Sequence, residues 1–324
     1  MDNKNIMVYV ETNEKSPINV SLEALTQATK VAKETGKQVI AVLIGEALEE
    51  AAKECIKFGA DKVIYTENKN KNIEFLGKSL SQLVQKYKPN MIFIGSTPDG
   101  KDLGSIIASQ IEIPALTDVV EMRYDDKKWI ITLPIYNGNI LREVVVPEVN
   151  SSIIILRSGV CKKETITGNF GNILKETLEE KNLLTKILDV VKEISENVNL
   201  EEAEVIVTGG RGMGSKENFE LVKQLAKVCN GVVGATRPVT EENWVSRTHQ
   251  IGQSGKIVAP KLYIACGVSG ATQHISGITS SKYIVAINKA EDAPIFEVAD
   301  VGIVGNVIDI LPIMIEEIKK IKSE

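Results

Sequence analysis

Short β-branched runs alternate with longer amphipathic stretches from the start of the chain, and this alternation restricts the possible folds more than any other feature. Ile6–Val10, Ser21–Thr35, Val39–Ile44 and Ala47–Phe58 read in turn as strand, helix, strand and helix. Gly36 and Gly59 stand after the two helical stretches, where a left-handed residue closes a helix. Val63–Tyr65 and Met91–Gly95 bracket a further helix over Ile73–Tyr87, so the spacing predicts a mostly parallel sheet. Beyond Ile113 the rhythm changes. Strand-like pieces near Val119–Tyr124, Trp129–Leu133, Leu141–Val146 and Ile153–Leu156, with turns at Asp125–Lys128 and Asn137–Asn139, predict an antiparallel extension.

The alternation then starts again. Residues Gly159–Asn172 are rich in Gly, Thr and Lys, and Leu184, Ile187, Leu188, Val191 and Ile194 follow at helical spacing, which marks a connecting segment. Val205–Thr208 opens a second α/β unit. Its next helix carries Phe219, Val222, Leu225, Ala226 and Cys229 on one face, followed by strands at Leu262–Ala265, Tyr283–Ile287 and Val301–Val304 and a helix over Val307–Lys320. The expected architecture is α/β in two domains: residues 1–197, a mostly parallel sheet with its antiparallel extension and the connecting segment, and residues 198–324, doubly wound. A length of 324 residues fits two cores of ordinary size.

Composition removes several kinds of chemistry. With 38 basic against 43 acidic side chains the net charge is -5, too little positive field to attract nucleic acid. The four cysteines have no CxxC spacing and the chain has two histidines, His249 and His274, so thiolate clusters, His-rich metal centres and a hydrolase triad lack their residues. No apolar run approaches the roughly 20 residues of a bilayer span, and Met1–Val10 lacks a signal-peptide layout. A soluble cytoplasmic protein without stable membrane insertion is expected, with its chemistry supplied by a cofactor.

Four loops in the last third, each following a strand, are where a ligand is expected. Gly209-Gly210-Arg211-Gly212-Met213-Gly214-Ser215 combines close backbone approach with a fixed positive charge, although it does not complete a GxGxxG pattern. Gly234-Ala235-Thr236-Arg237-Pro238 places a second arginine at a strand end. Gln250-Ile251-Gly252-Gln253-Ser254-Gly255-Lys256 offers a hydroxyl and backbone N–H groups to a heterocycle. In Leu262–His274 a strand feeds a Gly267-Val268-Ser269-Gly270 turn that opens a helix, where free N–H groups and the helix dipole can receive pyrophosphate. Taken singly, these loops also suit a tight turn, a solvated arginine, a surface loop and a core histidine.

In order and sequence the four loops resemble the alpha subunit of the electron transfer flavoproteins, closely from Val205 onward and more loosely before it. The Gln250–Lys256 loop and the Leu262–Asn288 block are similar to that family's FAD-binding signature almost position by position. Thr272 departs from its usual aliphatic residue, and Asn306 stands where many relatives carry an aspartate near the adenosine. The resemblance implies FAD in the C-terminal domain, with Arg211 and Arg237 near the isoalloxazine, the Ser254 hydroxyl toward flavin N5 and His274 at the N1–C2=O edge. It further implies Thr236, Gln250, Gly252, Gln253 and Gly255 around the flavin end, Gly267, Ser269, Gly270 and Gln273 at the ribityl and phosphate groups, Asn288 at the pyrophosphate and Asn306 by the adenosine. No catalytic residue and no metal ligand are implied. An electron carrier working with a beta subunit, and with a flavin dehydrogenase such as an acyl-CoA dehydrogenase, is the implied function; a bifurcating complex stays open. The opening βαβα pattern leaves an alternative, an adenine-nucleotide-binding regulatory or stress protein, with Gly95–Asp102 as a loop that either cradles phosphate or is degenerate.

Overall fold

The structure of the protein is a computed structural model and describes residues 5–13, 16–138, 140–166, 168, 170–178, 183–188, 200, 201 and 203–323. It divides into two compact units, Met1–Val191 and Lys192–Glu324. The break expected between residues 197 and 198 lies in 189–199, outside the described residues, as do Val191 and Ile194 of the expected connecting helix.

The first unit is built on β1 (Asn5–Tyr9), α1 (Asn19–Thr35), β2 (Gln38–Gly45), α2 (Glu49–Lys57), β3 (Lys62–Glu67), α3 (Ile73–Tyr87), β4 (Met91–Gly95) and α4 (Pro98–Ile111). β5 (Ala115–Val119), β6 (Glu121–Asp125), β7 (Lys128–Ile135), β8 (Ile140–Pro147), β9 (Ser152–Leu156) and β10 (Asn172–Lys175) follow. Seven strands form one parallel sheet in the order β10-β3-β2-β1-β4-β9-β5. Side-chain alternation along β1 sends Ile6 and Val8 to a core with α1 and α2, and Met7 and Tyr9 to a second core with Phe75, Leu80 and Leu83 of α3 and Leu103 and Ile107 of α4. Gly36, at φ 66°, closes α1 as expected.

Two expectations are corrected in this unit. Ile153–Leu156 is not part of the antiparallel extension. Its unbroken apolar run is buried on both faces as β9, a parallel strand between β4 and β5, and the antiparallel sheet consists of β6, β7 and β8 alone. Residues 183–188 are not helical: Leu184 and Leu188 are exposed, and the Glu74 carboxylate accepts the Leu184 and Thr185 N–H groups at 3.0 and 2.9 Å. Strand β10, within the expected connecting segment, completes the sheet edge beside β3.

The antiparallel sheet packs Trp129, Ile131 and Val146 into the core of the main sheet, and a polar cluster joins the two at one edge. Lys37 Nζ donates to Asn90 Oδ1 at 2.7 Å and pairs with Glu148 at 3.0 Å; Asn90 Nδ2 donates to the Glu148 carbonyl, and the Tyr124 hydroxyl donates to the Glu148 carboxylate. The Tyr124 and Lys37 contacts hold the Glu148 carboxyl below its usual range. Because Lys37 is nearly buried, Lys37→Met leaves the Glu148 carboxylate with Tyr124 as its side-chain partner and is expected to lower stability by about 1 kcal/mol in urea titration. An unchanged midpoint would mean the cluster does not hold the sheets together.

In the second unit β11 (Val205–Gly209), α5 (Glu220–Val228), β12 (Val232–Ala235), α6 (Arg237–Glu241), β13 (Leu262–Cys266), α7 (Thr272–Ile275), β14 (Ile284–Asn288), β15 (Val301–Val304) and α8 (Val307–Ser323) follow in order. Its five strands are parallel in the order β12-β11-β13-β14-β15. One face, including Val207 and Ile264, is covered by Val222 and Leu225 of α5 and Leu311 and Ile315 of α8. The opposite face, including Ile206 and Tyr263, is covered by Ile251, Val258 and Ile278 from loops and turns and by Ile295 from a short 3-10 turn. No helix among the described residues is long and apolar enough to cross a membrane.

Candidate functional site

The chain steps from β11 outward to β12 and returns to β13 on the other side of β11, so strand order reverses between β11 and β13. A crevice at the carboxyl ends of strands forms at such a point. Two of the glycine loops meet there. Gly210 N–H donates to the Cys266 carbonyl and Gly212 N–H to the Gly267 carbonyl, both at 2.9 Å. A Cβ at Gly210 or Gly212 would stand 2.3 or 2.6 Å from the Gly267 carbonyl oxygen, inside contact distance. These two glycines therefore serve loop-to-loop packing, whereas close approach to a ligand was expected of them. Met213 is buried beneath the loop and Arg211 is left exposed at its tip.

Among the described residues, the turn after β13 leaves several donors without protein partners. Gly267 and Gly270 adopt φ 63° and 86°. Asn288 Nδ2 holds the Val268 carbonyl at 2.8 Å, and the Ser269 carbonyl accepts Ile295 N–H at 3.1 Å. With those carbonyls turned into the protein, the N–H groups of Ser269, Gly270, Ala271 and Thr272 donate to no protein acceptor among the described residues. Ser269, Ala271 and Thr272 are exposed. Successive unbonded amides in a turn of this kind form a receptor for phosphate oxygens, and the turn thus fits a diphosphate. The helix expected after it is present but short: α7 has four residues, too few for a useful dipole, and the amides themselves remain as the receptor.

The other two loops lie on the β12 side. Thr236 N–H donates to the Gly209 carbonyl at 3.1 Å, and Arg237, in the first turn of α6, is exposed and paired with Glu241 at 2.7 Å. Bonds from Ile251 N–H to the Ala235 carbonyl at 3.0 Å and from Gln253 N–H to the Gln273 carbonyl at 2.8 Å connect the Gln250–Lys256 loop to both neighbours. Gly252, at φ 128°, allows this approach, since a Cβ there would meet the Gln273 carbonyl oxygen at 2.8 Å. Gly255 is similarly required, since a Cβ there would stand 2.4 Å from the Gln250 carbonyl oxygen. Gln253, Ser254 and Gln273 are exposed.

Four of the expected site residues make bonds of their own within the protein. His274 is buried, with Nδ1 3.1 Å from the Ile251 carbonyl and Nε2 2.9 Å from the Tyr263 hydroxyl. The carbonyl can only accept, so Nδ1 carries the proton and Nε2 accepts from Tyr263. Burial pushes its pKa down to about 4, so the imidazole is neutral where a cation was expected. Gln250 is buried with both amide atoms bonded to protein. Asn288 holds the Val268 and Ala290 backbone, and Asn306 accepts Ile308 N–H at 3.3 Å at the start of α8. Sequence reasoning passed over Tyr263 and Thr240. Tyr263 carried a signal: a tyrosine in an otherwise apolar inner strand needs a partner for its hydroxyl.

In the first unit the Gly95–Asp102 loop is occupied by the protein's own groups. Thr97 Oγ1 caps Gly100 N–H at 2.8 Å and donates to the Glu11 carboxylate at 2.7 Å, while Asp118 accepts from Ser96 and pairs with Lys101 at 3.0 Å. Two carboxylates at this point oppose a phosphate, which favours the degenerate-loop alternative.

Residues 6–180 match the family model described as electron transfer flavoprotein domain, and residues 199–279 match the electron transfer flavoprotein FAD-binding domain. The chain is 42% identical to an electron transfer flavoprotein subunit alpha from Thermoanaerobacterium thermosaccharolyticum, over 99% of each chain. It is 40% identical to a protein of the same name from Megasphaera elsdenii, over 99% of this chain and 98% of that one. It is also 34% identical to the acryloyl-CoA reductase electron transfer subunit beta of Anaerotignum propionicum, over 99% of this chain and 97% of that one.

Proposed function

The chain belongs to the electron transfer flavoprotein alpha subunits and carries their FAD-binding domain, and from that premise we propose that it is the FAD-holding half of a heterodimer that relays electrons from a flavin dehydrogenase in the cytoplasm. The observation that carries the reading is the β13–α7 turn, whose unbonded amides stand beside the Arg211 loop at the strand-order reversal. Bound FAD supplies a ring that accepts and returns electrons.

In this reading the chain's residues bind and bias that ring. The N–H groups of Ser269 to Thr272 hold the diphosphate, with Gly267 and Gly270 shaping the turn and Gln273 on its exposed side. Asn288 acts by fixing the turn, and Asn306 by starting α8 near the adenosine. Thr236, Gln253 and Ser254 border the flavin end. Arg211 and Arg237 supply the positive field that favours negative charge on the ring. His274, neutral in this structure, orients through Tyr263 and Ile251 and contributes no full charge.

The relatives support a beta subunit as partner, and the name of the Anaerotignum propionicum protein supports a dehydrogenase or reductase acting on CoA esters. Whether the complex bifurcates electrons depends on a second flavin in that partner.

Co-expression with the beta subunit tests the proposal. A yellow complex that releases FAD at one molecule per alpha chain is expected. A colourless complex, or one that retains only AMP or ATP, would favour the nucleotide-binding alternative. Arg237→Ala is expected to lower the one-electron midpoint potential by tens of millivolts while His274→Ala changes it less, because only the arginine is charged. Equal potentials in wild type and Arg237→Ala would remove that arginine from the flavin.

A further inference from the structure

We propose that Gln250 and Thr240 are positioning residues that hold the Ser254 hydroxyl as a hydrogen-bond donor facing the ligand crevice, an inference that rests on the reading of Ser254 as the group nearest flavin N5. Ser254 sits at the exposed tip of the Gln250–Lys256 loop, which is closed at its base by the Lys256 N–H bond to the Gln250 carbonyl at 2.8 Å. A serine there would ordinarily sample its staggered rotamers freely, its proton pointing anywhere. The amide beneath it removes that freedom. Gln250 Nε2 lies 2.9 Å from the Ser254 carbonyl and 2.9 Å from Ser254 Oγ.

Which end of the amide faces Ser254 is decided by chemistry. The Ser254 carbonyl can only accept, so the NH2 group must face it, and the amide's two hydrogens then meet the carbonyl and the hydroxyl oxygen. A hydroxyl oxygen that accepts a bond from below has its own proton directed elsewhere. For Ser254 that direction is outward, so the residue offers a donor. Oxidised flavin N5 is an acceptor, and the two match.

The other end of the amide is fixed just as firmly. Gln250 is 3% exposed, and its Oε1 accepts from Thr240 Oγ1 at 2.8 Å. Thr240 is itself buried on α6, the short helix that begins with Arg237, and its Oγ1 is also 2.9 Å from the Arg237 carbonyl. Thr240 has one hydroxyl proton and both of these oxygens only accept, so the two share it, and the relay of bonds runs from Thr240 through Gln250 to Ser254. It ties α6 to the Gln250–Lys256 loop, which the bond between Ile251 and Ala235 also joins to the end of β12. A glutamine needed only for packing would not require its amide to end on a loop-tip hydroxyl.

The full chain, co-expressed with its beta subunit and reconstituted with FAD carrying 15N at N5 and N10, gives the test. In Ser254→Ala the N5 resonance of the oxidised flavin should move downfield, as a pyridine-type nitrogen does on losing a donor, while N10 stays. Gln250→Met should move N5 the same way and raise the FAD dissociation constant about tenfold, and Thr240→Val should do so to a smaller extent. The Ser254→Ala/Gln250→Met pair should shift N5 no further than Ser254→Ala alone. If Ser254→Ala moves N5 but Gln250→Met and Thr240→Val leave it at the wild-type position, the positioning role is wrong and the reading of Ser254 survives. If Ser254→Ala leaves N5 unmoved, that reading fails and takes the proposal with it. Equal movement of N5 and N10 in the Gln250 and Thr240 variants would reveal general loosening and overturn the proposal. Should Gln250→Met not fold, Thr240→Val decides alone by the same criteria.

Discussion

Substituting alanine for Gly270 is expected to empty the site of FAD and to destabilise the second unit by more than about 3 kcal/mol. Two independent costs act at this position. The residue is held at φ 86°, where a Cβ costs about 1–2 kcal/mol against the adjoining carbonyl. That Cβ would also stand 2.2 Å from the Ile295 nitrogen and 2.6 Å from its Cα, and backbone cannot swing aside as a side-chain tip can. The displaced strand of chain is the one that fixes the donors, because Ile295 N–H is bonded to the Ser269 carbonyl. Once that carbonyl is freed, the Ser269–Thr272 amides lose their common direction, and the FAD dissociation constant should rise at least about a hundredfold. Gly214→Ala separates the two costs. Its φ is 81°, but its nearest neighbour is the Asn218 side-chain nitrogen at 3.7 Å, so only the conformational part applies, about 1 kcal/mol with FAD retained. Flavin titration and urea unfolding of both variants would check this, and equal behaviour of the two would show that the close approach to Ile295 is unimportant.

That contrast between two left-handed glycines bears on how far the sequence could be read. The pattern of β-branched runs was enough to place β1 to β4, β11 and β13 to β15, because parallel strands leave a strong apolar record, most plainly where both faces are buried. The same rule identifies Ile153–Leu156 as a central strand, and it was overridden by the turn-rich neighbourhood, which suggested a hairpin. Residues 183–188 mislead in the opposite way: Leu184, Ile187 and Leu188 keep helical spacing, but no core lies under Leu184 or Leu188 to reward a helix. Within the candidate site, loop positions were legible and side-chain duties were not. Glycine composition marks where chain must approach something closely, yet only coordinates show that Gly210 and Gly212 approach another loop. Gln250, Asn288 and His274 are polar residues in a ligand-binding block, and a sequence offers no means of telling those that point at the ligand from those that hold its neighbours. The charge on His274 was illegible for the same reason, since it depends on burial among groups 11 and 23 residues away.

That burial has a consequence for the response of each unit to acid, and the two units should respond with opposite sign. In the second unit His274 is neutral in the fold, its pKa lowered by burial from 6.5 to about 4. The unfolded chain takes up this proton near pH 6.5 and the folded chain only near pH 4, so between those values the unfolded state binds more protons. Stability is then fully present above pH 6.5 and declines as pH falls toward 4, by about 3 kcal/mol for the full shift. In the first unit Glu23, buried on α1 with its carboxyl accepting Gly159 N–H at 2.8 Å, is displaced upward from 4.5 to about 7, chiefly by burial. Here the folded state keeps its proton longer than the unfolded state does. Its contribution is fully present below pH 4.5 and is lost as pH rises through 7, again by about 3 kcal/mol. Mild acidification from pH 7 to 5 should therefore stabilise the first unit and destabilise the second. Hydrogen exchange read separately on core amides of β1 and β13 resolves the two slopes. Glu23→Gln should flatten the first and His274→Phe the second, each leaving the other intact. Parallel slopes in both units, or slopes that persist in these variants, would assign the acid response to other groups.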